Sequence, residues 1–371
     1  MSITESFWSR YKVKIISGLI IIILSISIIY TIIWMVNQNN KTVIHIFHAG
    51  SLYVPIEEFQ REYEALYPNY QIDNEAFGSA TAIRQITELG RKCSVLGTAD
   101  YSLIYTMMMN ESDPNCIDAT TGKTWADWYI IFAVNEIALA YDEKNNPPYL
   151  NLLKNGSKLW WQVLNRTDVV FGRSDPYQDP CGYRTLMVWG LADDYYFGVL
   201  HGNWTSNQIN QSMYNKDPIS GYTGPGATIV KAKETDLLSC LEAGEIDYLF
   251  IYTSVAKQHG LNYIKFDDHL NLANRSLNDF YSNVTVLRKS PLIPGASATP
   301  KTAKAIQYGI TIPNNAPHPN LGIDFIKFML QRPGIMLSLG QPAYYPAYAS
   351  NITKIPEVLR SYCVQDPNPI I

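Results

Sequence analysis

The sequence predicts an α/β protein with two lobes, preceded by a transmembrane helix. Its 371 residues are enough for two lobes of ordinary domain size, each with its own hydrophobic core. Residues 15–36 carry no charged side chain, which is the pattern of a membrane-spanning segment. After residue 43, short apolar runs alternate with amphipathic helical segments, and this alternation is typical of a largely parallel sheet.

The segment 15–36 is dominated by Ile and Leu, and its 22 residues are long enough to cross a bilayer as a helix. Basic residues precede the segment at Arg10, Lys12 and Lys14. By the positive-inside rule they hold residues 1–14 in the cytoplasm, so the bulk of the protein lies on the extracellular side. A cleaved signal peptide is the alternative, but the small residues of a cleavage site do not follow the apolar run. We therefore expect an uncleaved, single-pass anchor in the cell membrane.

Asn-x-Ser/Thr acceptor sequences, which fit an exposed extracytoplasmic surface, also favour the outside location. An Asn- and Ser-rich chain forms some of them by chance, so they add only mild support. They occur at Asn40, Asn110, Asn155, Asn165, Asn203, Asn210, Asn274, Asn283 and Asn351.

Composition excludes several classes of function. Charged residues make up 17% of the chain and the net charge is -4, so no basic field is present to bind nucleic acid. No pair of the five cysteines has C-x-x-C spacing, which argues against a metal cluster and leaves disulfide pairing open. Neither a nucleophile–base set nor a phosphate-binding loop stands out, so we expect no enzyme and no cofactor.

The first lobe begins with a short strand at Val43–Phe47, and a helix follows from about Pro55 to Pro68. A second strand at Tyr70–Ala76 leads through Gly78–Ser79 into another helix, which Gly90 ends. A third strand begins at Val95.

Residues 110–124 are polar and rich in turn formers, so they are interpreted as a surface insertion. Residues 128–141 form a long apolar run that leads into the second lobe as extended strands. Further elements are predicted in that lobe: segment 160–164, strand 169–171, helix 180–196, helix 236–242 and strand 248–252.

The predicted first lobe is discontinuous and comprises residues 43–130 and 254–350, whereas the second lobe comprises 131–253. A helix is expected from about Leu321 to Leu330. Residues 356–371 are expected to form a loose tail.

Four polar clusters lie where a helix begins. Such a helix start presents unpaired N–H groups and a partial positive charge, which attract anions. In open α/β sheets, ligands bind beyond the carboxyl ends of the strands. The clusters are Gly50–Leu52, Gly78–Thr81, Asp179–Thr185 and Lys233–Asp236.

Each of these clusters also has a purely structural interpretation. The serines and Asp179 are residue types that commonly cap helices, and Thr235 or a neighbour could do the same. Glu234 is a first-turn acid that complements the helix dipole. Tyr252, at the end of a strand, fits the core or the lining of a crevice.

At these clusters the chain resembles the tungstate/molybdate-binding proteins of archaeal ABC importers. The resemblance extends over roughly residues 43 to 350 in family order, which makes it far more specific than a single motif. The matching runs are Phe47–Leu52, Ala76–Ala80, Ile86–Gly90, Thr98–Ile104, Ala126–Tyr129, Asn135–Ile137, Phe171–Pro176, Asp179–Thr185, Ser254–Ala256 and Gln258–Leu261.

The resemblance implies a two-lobed, class II periplasmic-binding-protein fold with the anion in the interlobe cleft. It implies that Ser51 and Ser79 donate hydrogen bonds to the oxyanion and that Asp179 and Glu234 coordinate its tungsten or molybdenum centre. Carboxylate oxygen suits such a hard metal, whereas sulfate and phosphate would meet only repulsion from the acids. The remaining implied ligand-binding residues are Leu52, Pro180, Cys181 through its backbone, and Tyr252 through its hydroxyl.

The implied function is an ABC-importer receptor that takes up tungstate or molybdate and delivers it to permease and ATPase subunits. It is expected to act as a monomer. A receptor for sulfate or phosphate is an alternative, as is an anchored sensor ectodomain without a permease. Ser94 and Ile251 stand where acids are expected in relatives, and these changes affect the cleft charge and hence the preferred anion.

Overall fold

A computed structural model describes residues 3–39 and 41–370 of the chain. The chain forms two compact units: Met1–Val43 with Glu64–Ile72, and Ile44–Tyr63 with Asp73–Ile371. The N-terminal helix of the smaller unit is Ile3–Asn39, and it includes the segment 15–36. Among the described residues, no helix reaches the length and apolarity needed to cross a membrane.

The first of the two large sheets has seven strands, and it is a mixed sheet with both parallel and antiparallel pairs. Ile46 lies opposite Val95 in a parallel pair, and Gly309 lies opposite Thr98 in an antiparallel pair. From one edge to the other, its strands are Cys363–Gln365, Ala343–Ala349, Ile130–Val134, Gln307–Thr311, Val95–Thr98, Thr42–Ala49 and Tyr70–Phe77.

The second large sheet has five strands and forms the core of the second lobe. Its central strand is parallel to one neighbour, with Tyr248 opposite Phe171, and antiparallel to the other, with Tyr252 opposite Ile137. The strand order is Asn262–Lys265, Ile137–Tyr141, Tyr248–Tyr252, Phe171–Ser174 and Ile229–Lys231. The predicted α/β class with two lobes is therefore confirmed.

The chain passes from the first sheet to the second at Asn135 and Glu136, between the strands Ile130–Val134 and Ile137–Tyr141. The predicted boundary after residue 130 differs from this, because the whole of Ile130–Val134 pairs within the first sheet. The return also comes later than predicted, since Asn262–Lys265 still pairs in the second sheet. Both strands of the apolar run are buried, so hydrophobicity alone did not mark the crossing.

The C-terminal segment is ordered rather than loose. Cys363–Gln365 pairs in parallel with Ala347–Ala349 and forms one edge of the first sheet. Asp366 is buried and accepts a hydrogen bond from Arg275 at 2.9 Å. The prediction of a loose tail was wrong because the alternating pattern of this three-residue strand is too short to detect.

Helices flank both sheets, and a helix is present at each of the five predicted positions, near Pro55, Ser79, Pro180, Asp236 and Leu321. The predicted helix from Pro180 is α-helical to Asp193 and continues as a π-helix at Asp194–Val199. The α-helices of the larger part of the chain are Tyr53–Leu66, Ser79–Thr87, Tyr101–Ile104, Leu150–Lys154, Trp160–Leu164, Pro180–Asp193, Gln208–Asn215, Leu238–Glu242, Thr253–Gln258, Asp268–Asn271, Asn278–Tyr281, Pro319–Leu330, Pro333–Ser338 and Glu357–Arg360.

Two hairpins lie outside the large sheets. The predicted insertion contains one, in which Ile117–Asp118 pairs with Lys123–Thr124. The other pairs Thr285–Arg288 with Thr299–Thr302 on the return to the first lobe. This second hairpin supplies Lys301, which enters the interlobe region described below.

Candidate functional site

The predicted site residues lie just beyond the carboxyl ends of strands from both large sheets. This is the edge at which ligands bind in open α/β sheets. Residues Ala49, Phe77 and Thr98 end the relevant strands of the first sheet, and Ser174, Lys231 and Tyr252 end those of the second.

The two serines of the first lobe are buried, and neither side chain caps a helix. Ser51 lies within the 3-10 turn Gly50–Leu52 and accepts a hydrogen bond from the Tyr308 hydroxyl at 2.9 Å. Ser79 is the first residue of its helix, and its Oγ accepts from the Ala99 N–H at 2.9 Å. The capping interpretation of these serines is therefore wrong, and both hydroxyls are held by groups remote in sequence.

Asp179 caps its helix as predicted and also reaches a second segment. Its Oδ1 accepts from the Cys181 N–H at 3.3 Å, and Pro180 is the first helical residue. Its Oδ2 accepts from the Glu234 N–H at 2.9 Å. One carboxylate thus joins the start of this helix to the turn that carries the second acid.

Glu234 begins the 3-10 turn Glu234–Leu237, and its carboxylate is buried. Lys233 is the N-cap residue and no side chain caps the turn, so the predicted cap by Thr235 or its neighbour is absent among the described residues. Neither carboxylate oxygen of Glu234 has a hydrogen-bond partner within the described part of the chain. A buried acceptor without a partner costs free energy, which makes this group the most conspicuous in the cleft.

Burial, followed by the charge of Asp179, raises the pKa of Glu234 well above its ordinary value. A carboxyl whose pKa is raised by folding stabilises the fold at low pH. That contribution is lost as the pH rises through the raised pKa. The empty site is therefore most stable when Glu234 carries a proton.

Cys181 and Tyr252 complete the predicted set within the second lobe. The thiol of Cys181 points to the Phe250 carbonyl oxygen, with Sγ at 3.7 Å, so this side chain is turned toward the protein interior. Burial, followed by the charges of Asp179 and Glu234, raises the pKa of this thiol well above its ordinary value. The Tyr252 hydroxyl accepts from Nη1 of Arg184 at 2.7 Å.

The two lobes are closed upon each other at two glycines of the first lobe. A Cβ built on Gly78 would lie 2.3 Å from the Gln178 carbonyl oxygen and 3.3 Å from Asp179 Cβ. A Cβ built on Gly50 would lie 3.0 Å from Thr235 Oγ1 and 3.5 Å from Glu234 Oε1. Glycine is needed at both positions so that the backbone of the first lobe can approach Gln178 and Thr235 of the second lobe this closely.

Arg184 joins the lobes and was not predicted as a site residue. Its buried guanidinium donates through Nη1 to the Ala99 carbonyl oxygen and to the Tyr252 hydroxyl, each at 2.7 Å. Its position three residues after Cys181 places both on one face of the same helix. The sequence gives no signal for these partners, because Ala99 and Tyr252 are 85 and 68 positions away in the chain.

Asp100 forms a second interlobe junction. It accepts from the Tyr183 hydroxyl at 2.7 Å and pairs with the Lys301 ammonium at 2.8 Å. Burial alone would raise the pKa of Asp100, but Lys301, Lys304 and Arg184 hold it well below the ordinary value. The junction therefore carries an ionised carboxylate in a closed interface.

Leu52 is buried in the same turn as Ser51, so all eight predicted ligand-binding residues lie at or beside this closed interface. All five cysteines are free and buried. Within the described residues, no group of three or more His, Cys, Asp or Glu side chains is placed to hold a metal ion.

Comparison with known proteins identifies the family. The model of the bacterial extracellular solute-binding protein family matches residues 44–335. The molybdate/tungstate-binding protein of Pyrococcus abyssi is 39% identical over 300 residues, which are 78% of this chain and 80% of that protein. An uncharacterised solute-binding protein of Staphylothermus marinus is 37% identical over 368 residues, covering 96% and 97% of the two chains.

Among solved structures, the periplasmic molybdate-binding protein of Azotobacter vinelandii aligns with a TM-score of 0.45 and 12% identity over 80% of this chain and 98% of its own. The assignment rests on the sequence comparisons, which confirm the resemblance noted from the motifs. The chain belongs to the bacterial extracellular solute-binding protein family, and it is a binding receptor rather than an enzyme.

Proposed function

We propose that this receptor captures tungstate or molybdate in the closed interlobe cleft and delivers it to the permease of an ABC importer. The relative in Pyrococcus abyssi is described as binding these two anions. The observation that carries the proposal is the pair of Glu234 oxygens, buried without a hydrogen-bond partner in the described chain and next to Asp179. An ionised carboxylate that leaves water without a partner needs a bound ligand to compensate the lost hydration.

Two carboxylates next to a dianion would repel each other and the ligand if only charges interacted. A hard, high-valent metal centre changes this, because it accepts carboxylate oxygen as a ligand. Asp179 and Glu234 would then bind tungsten or molybdenum directly. Sulfate and phosphate offer no such centre, so the same two acids repel them.

The hydroxyl groups supply the hydrogen bonds to the oxygens of the anion. Ser51, Ser79 and Tyr252 each have a hydrogen available after accepting a bond from the protein. The Cys181 N–H at present donates to Asp179 Oδ1 at a long 3.3 Å. It becomes available to the anion when that carboxylate turns to the metal.

We further propose that the N-terminal helix anchors the receptor in the cell membrane, with residues 1–14 in the cytoplasm. The support is the uncharged segment 15–36 within the helix Ile3–Asn39. Ile21 and Ile23 are each more than 60% exposed, which suits side chains that face lipid. The lobes then lie outside, and in this class II arrangement they close on the anion near the permease.

The test is calorimetric titration of the full-length protein in detergent with sodium tungstate and, separately, sodium sulfate. Glu234→Gln and Asp179→Asn should each weaken tungstate binding by at least about tenfold, a free-energy change of about 1.4 kcal/mol. Neither variant should weaken sulfate binding, because each removes a repulsive charge.

Asp236→Asn is the matched control. Asp236 lies in the same turn as Glu234, is 39% exposed and pairs only weakly with Lys233 at 3.6 Å. Its replacement should leave tungstate affinity unchanged. Equal competition by sulfate in the wild-type protein would refute the coordination of the metal by these acids.

A further inference from the structure

The Asn-x-Ser/Thr acceptor sequences of the chain differ in how far the asparagine is exposed. Four of these asparagines are exposed in the described part of the chain, whereas the others described there are partly buried and Asn40 lies outside the described residues. An enzyme that modifies the folded protein must reach the asparagine Nδ2, so exposure limits the candidates. The exposed asparagines are Asn155, Asn165, Asn203 and Asn283.

Asn203 is held by its side-chain oxygen, with its amide nitrogen left free. Its Oδ1 accepts from the Thr205 hydroxyl at 3.0 Å and, at a longer 3.4 Å, from the Thr205 N–H. Among the described residues, Nδ2 of Asn203 has no hydrogen-bond partner. The hydroxyl and the amide nitrogen that define an acceptor are thus pre-organised side by side at the surface.

The other exposed acceptors lack this arrangement. At Asn155 only the backbone N–H of the third residue donates to Oδ1, at 3.0 Å. The third residue of the Asn283 acceptor pairs its hydroxyl with Thr302 across a hairpin at 2.9 Å. At Asn165 neither bond to Oδ1 is present in the part of the chain that the structure describes.

An apolar patch, formed by Val199, Leu200 and Trp204, lies next to Asn203. Trp204 is 56% exposed, and the other two side chains are exposed as well. The turn is compact, because a Cβ built on Gly198 would lie 2.5 Å from the Trp204 ring. Single exposed apolar side chains are common, but neighbouring ones mark a surface that another group covers.

We propose that Asn203 carries an N-linked oligosaccharide and that the first sugars of this glycan cover the apolar patch. In the transfer, Asn203 Nδ2 forms a bond to the anomeric carbon of a sugar that is activated as a phosphate ester of a membrane lipid. The bond from that carbon to the phosphate oxygen breaks, and the lipid phosphate leaves with the electron pair. A base of the transferase takes one Nδ2 hydrogen. The C–H groups on one face of the sugar ring then pack on the Trp204 ring.

The modified residue lies far from the anion site. The helix that begins at Pro180, next to Asp179, ends at Val199, and its 14 α-helical and 6 π-helical residues place the two ends roughly 25–30 Å apart. A glycan at the far end leaves the cleft free to open and close. The proposal rests on the extracellular location of the family, and neither on the bound anion nor on the membrane anchor.

A second acceptor nearby provides an internal control. Asn210 lies in the helix Gln208–Asn215, and its Nδ2 donates to Asn207 Oδ1 at 3.0 Å. The Ser212 hydroxyl donates to the Ile209 carbonyl oxygen instead of to the asparagine. Both groups of this acceptor are therefore engaged elsewhere, and we expect no glycan on Asn210.

The experiment is mass spectrometry of the full-length protein, purified from the membranes of its native cells and digested with trypsin. No Lys or Arg lies between Arg184 and Lys216, so one peptide carries both acceptors. Fragmentation that keeps sugars attached should place a glycan on Asn203 in most of the recovered peptide and none on Asn210. Recovery of mainly unmodified peptide, or of a glycan on Asn210 instead, would overturn the proposal.

Hydroxyl-radical footprinting in detergent tests whether the glycan covers the patch, because it measures the exposure of Trp204 itself. Oxidation of Trp204 should be at least about twofold faster in Asn203→Gln than in wild type, since a sugar on one face of the ring covers about half of its exposed area. Asn210→Gln is the matched control and should match wild type. Equal oxidation of Trp204 in wild-type and Asn203→Gln protein would overturn the covering of the patch.

Tungstate titration of the same preparations separates this proposal from the proposed function. Wild-type protein, Asn203→Gln and Asn210→Gln should bind tungstate with equal affinity, because the glycan lies away from the cleft. Failure of all three to bind tungstate would overturn the proposed function and would leave the glycan assignment intact.

Discussion

Substitution of Gly78 by alanine tests whether the closed arrangement of the lobes is the one that holds the ligand. The new Cβ would lie 2.3 Å from the Gln178 carbonyl oxygen and 2.9 Å from its carbon. Both are backbone atoms, so no side chain can rotate away, and ordinary contact requires the lobes to separate by roughly 1 Å. Overpacking of this kind costs about 1–3 kcal/mol, which corresponds to a weakening of ligand binding by about 5- to 150-fold.

The assay is calorimetric titration with tungstate, together with small-angle scattering with and without ligand. Because the clash arises between lobes, Gly78→Ala should reduce closure while each lobe stays folded. Gly334→Ala is the control, since a Cβ there meets nothing within 4 Å. If Gly78→Ala bound tungstate within twofold of the wild-type affinity, the close approach of Gly78 to the Gln178 backbone would be refuted.

Three further outcomes follow from the same contacts. Metal coordination needs an ionised Glu234, and burial raises the pKa of this residue, so tungstate binding should release a proton. The tungstate affinity should therefore weaken as the pH falls, by at most about tenfold per pH unit. Calorimetric titrations in buffers of different ionisation enthalpy measure the number of protons released. Tyr183→Phe removes the interlobe bond to Asp100 and should speed tungstate release about tenfold in stopped-flow measurements. Asp217→Asn leaves the fully buried Arg173 guanidinium without its bidentate carboxylate partner. The free energy of unfolding, measured in guanidinium, should fall by about 3–5 kcal/mol. A loss of stability below about 1 kcal/mol would contradict this.

Local pattern predicted the principal strands and helices up to Tyr252, because strands and helices differ in the spacing of their apolar residues. The crossing at Asn135 was missed because the strands on either side are both buried and form one apolar run. Only the polar Asn135 and Glu136 within that run mark the point where the chain changes sheets.

Candidate site residues could be located from motifs, but their interactions could not. Asp179 and Glu234 were each explained locally as a cap and a first-turn acid, whereas the structure joins them through the Glu234 N–H. Arg184 and Tyr308 were not predicted because their partners lie far away in the chain; Tyr308 and Ser51 are separated by 257 positions. Contacts of that range depend on the packing of whole lobes, which no local pattern records.

Coordination of the bound metal by Asp179 and Glu234 is tested most directly by X-ray absorption at the tungsten edge of the protein–tungstate complex. If both carboxylates bind the metal, the spectrum should show longer tungsten–oxygen distances in addition to those of the free oxyanion. Those distances should disappear in part in Glu234→Gln. A spectrum of unchanged, tetrahedral tungstate in the wild-type complex would contradict the proposed coordination.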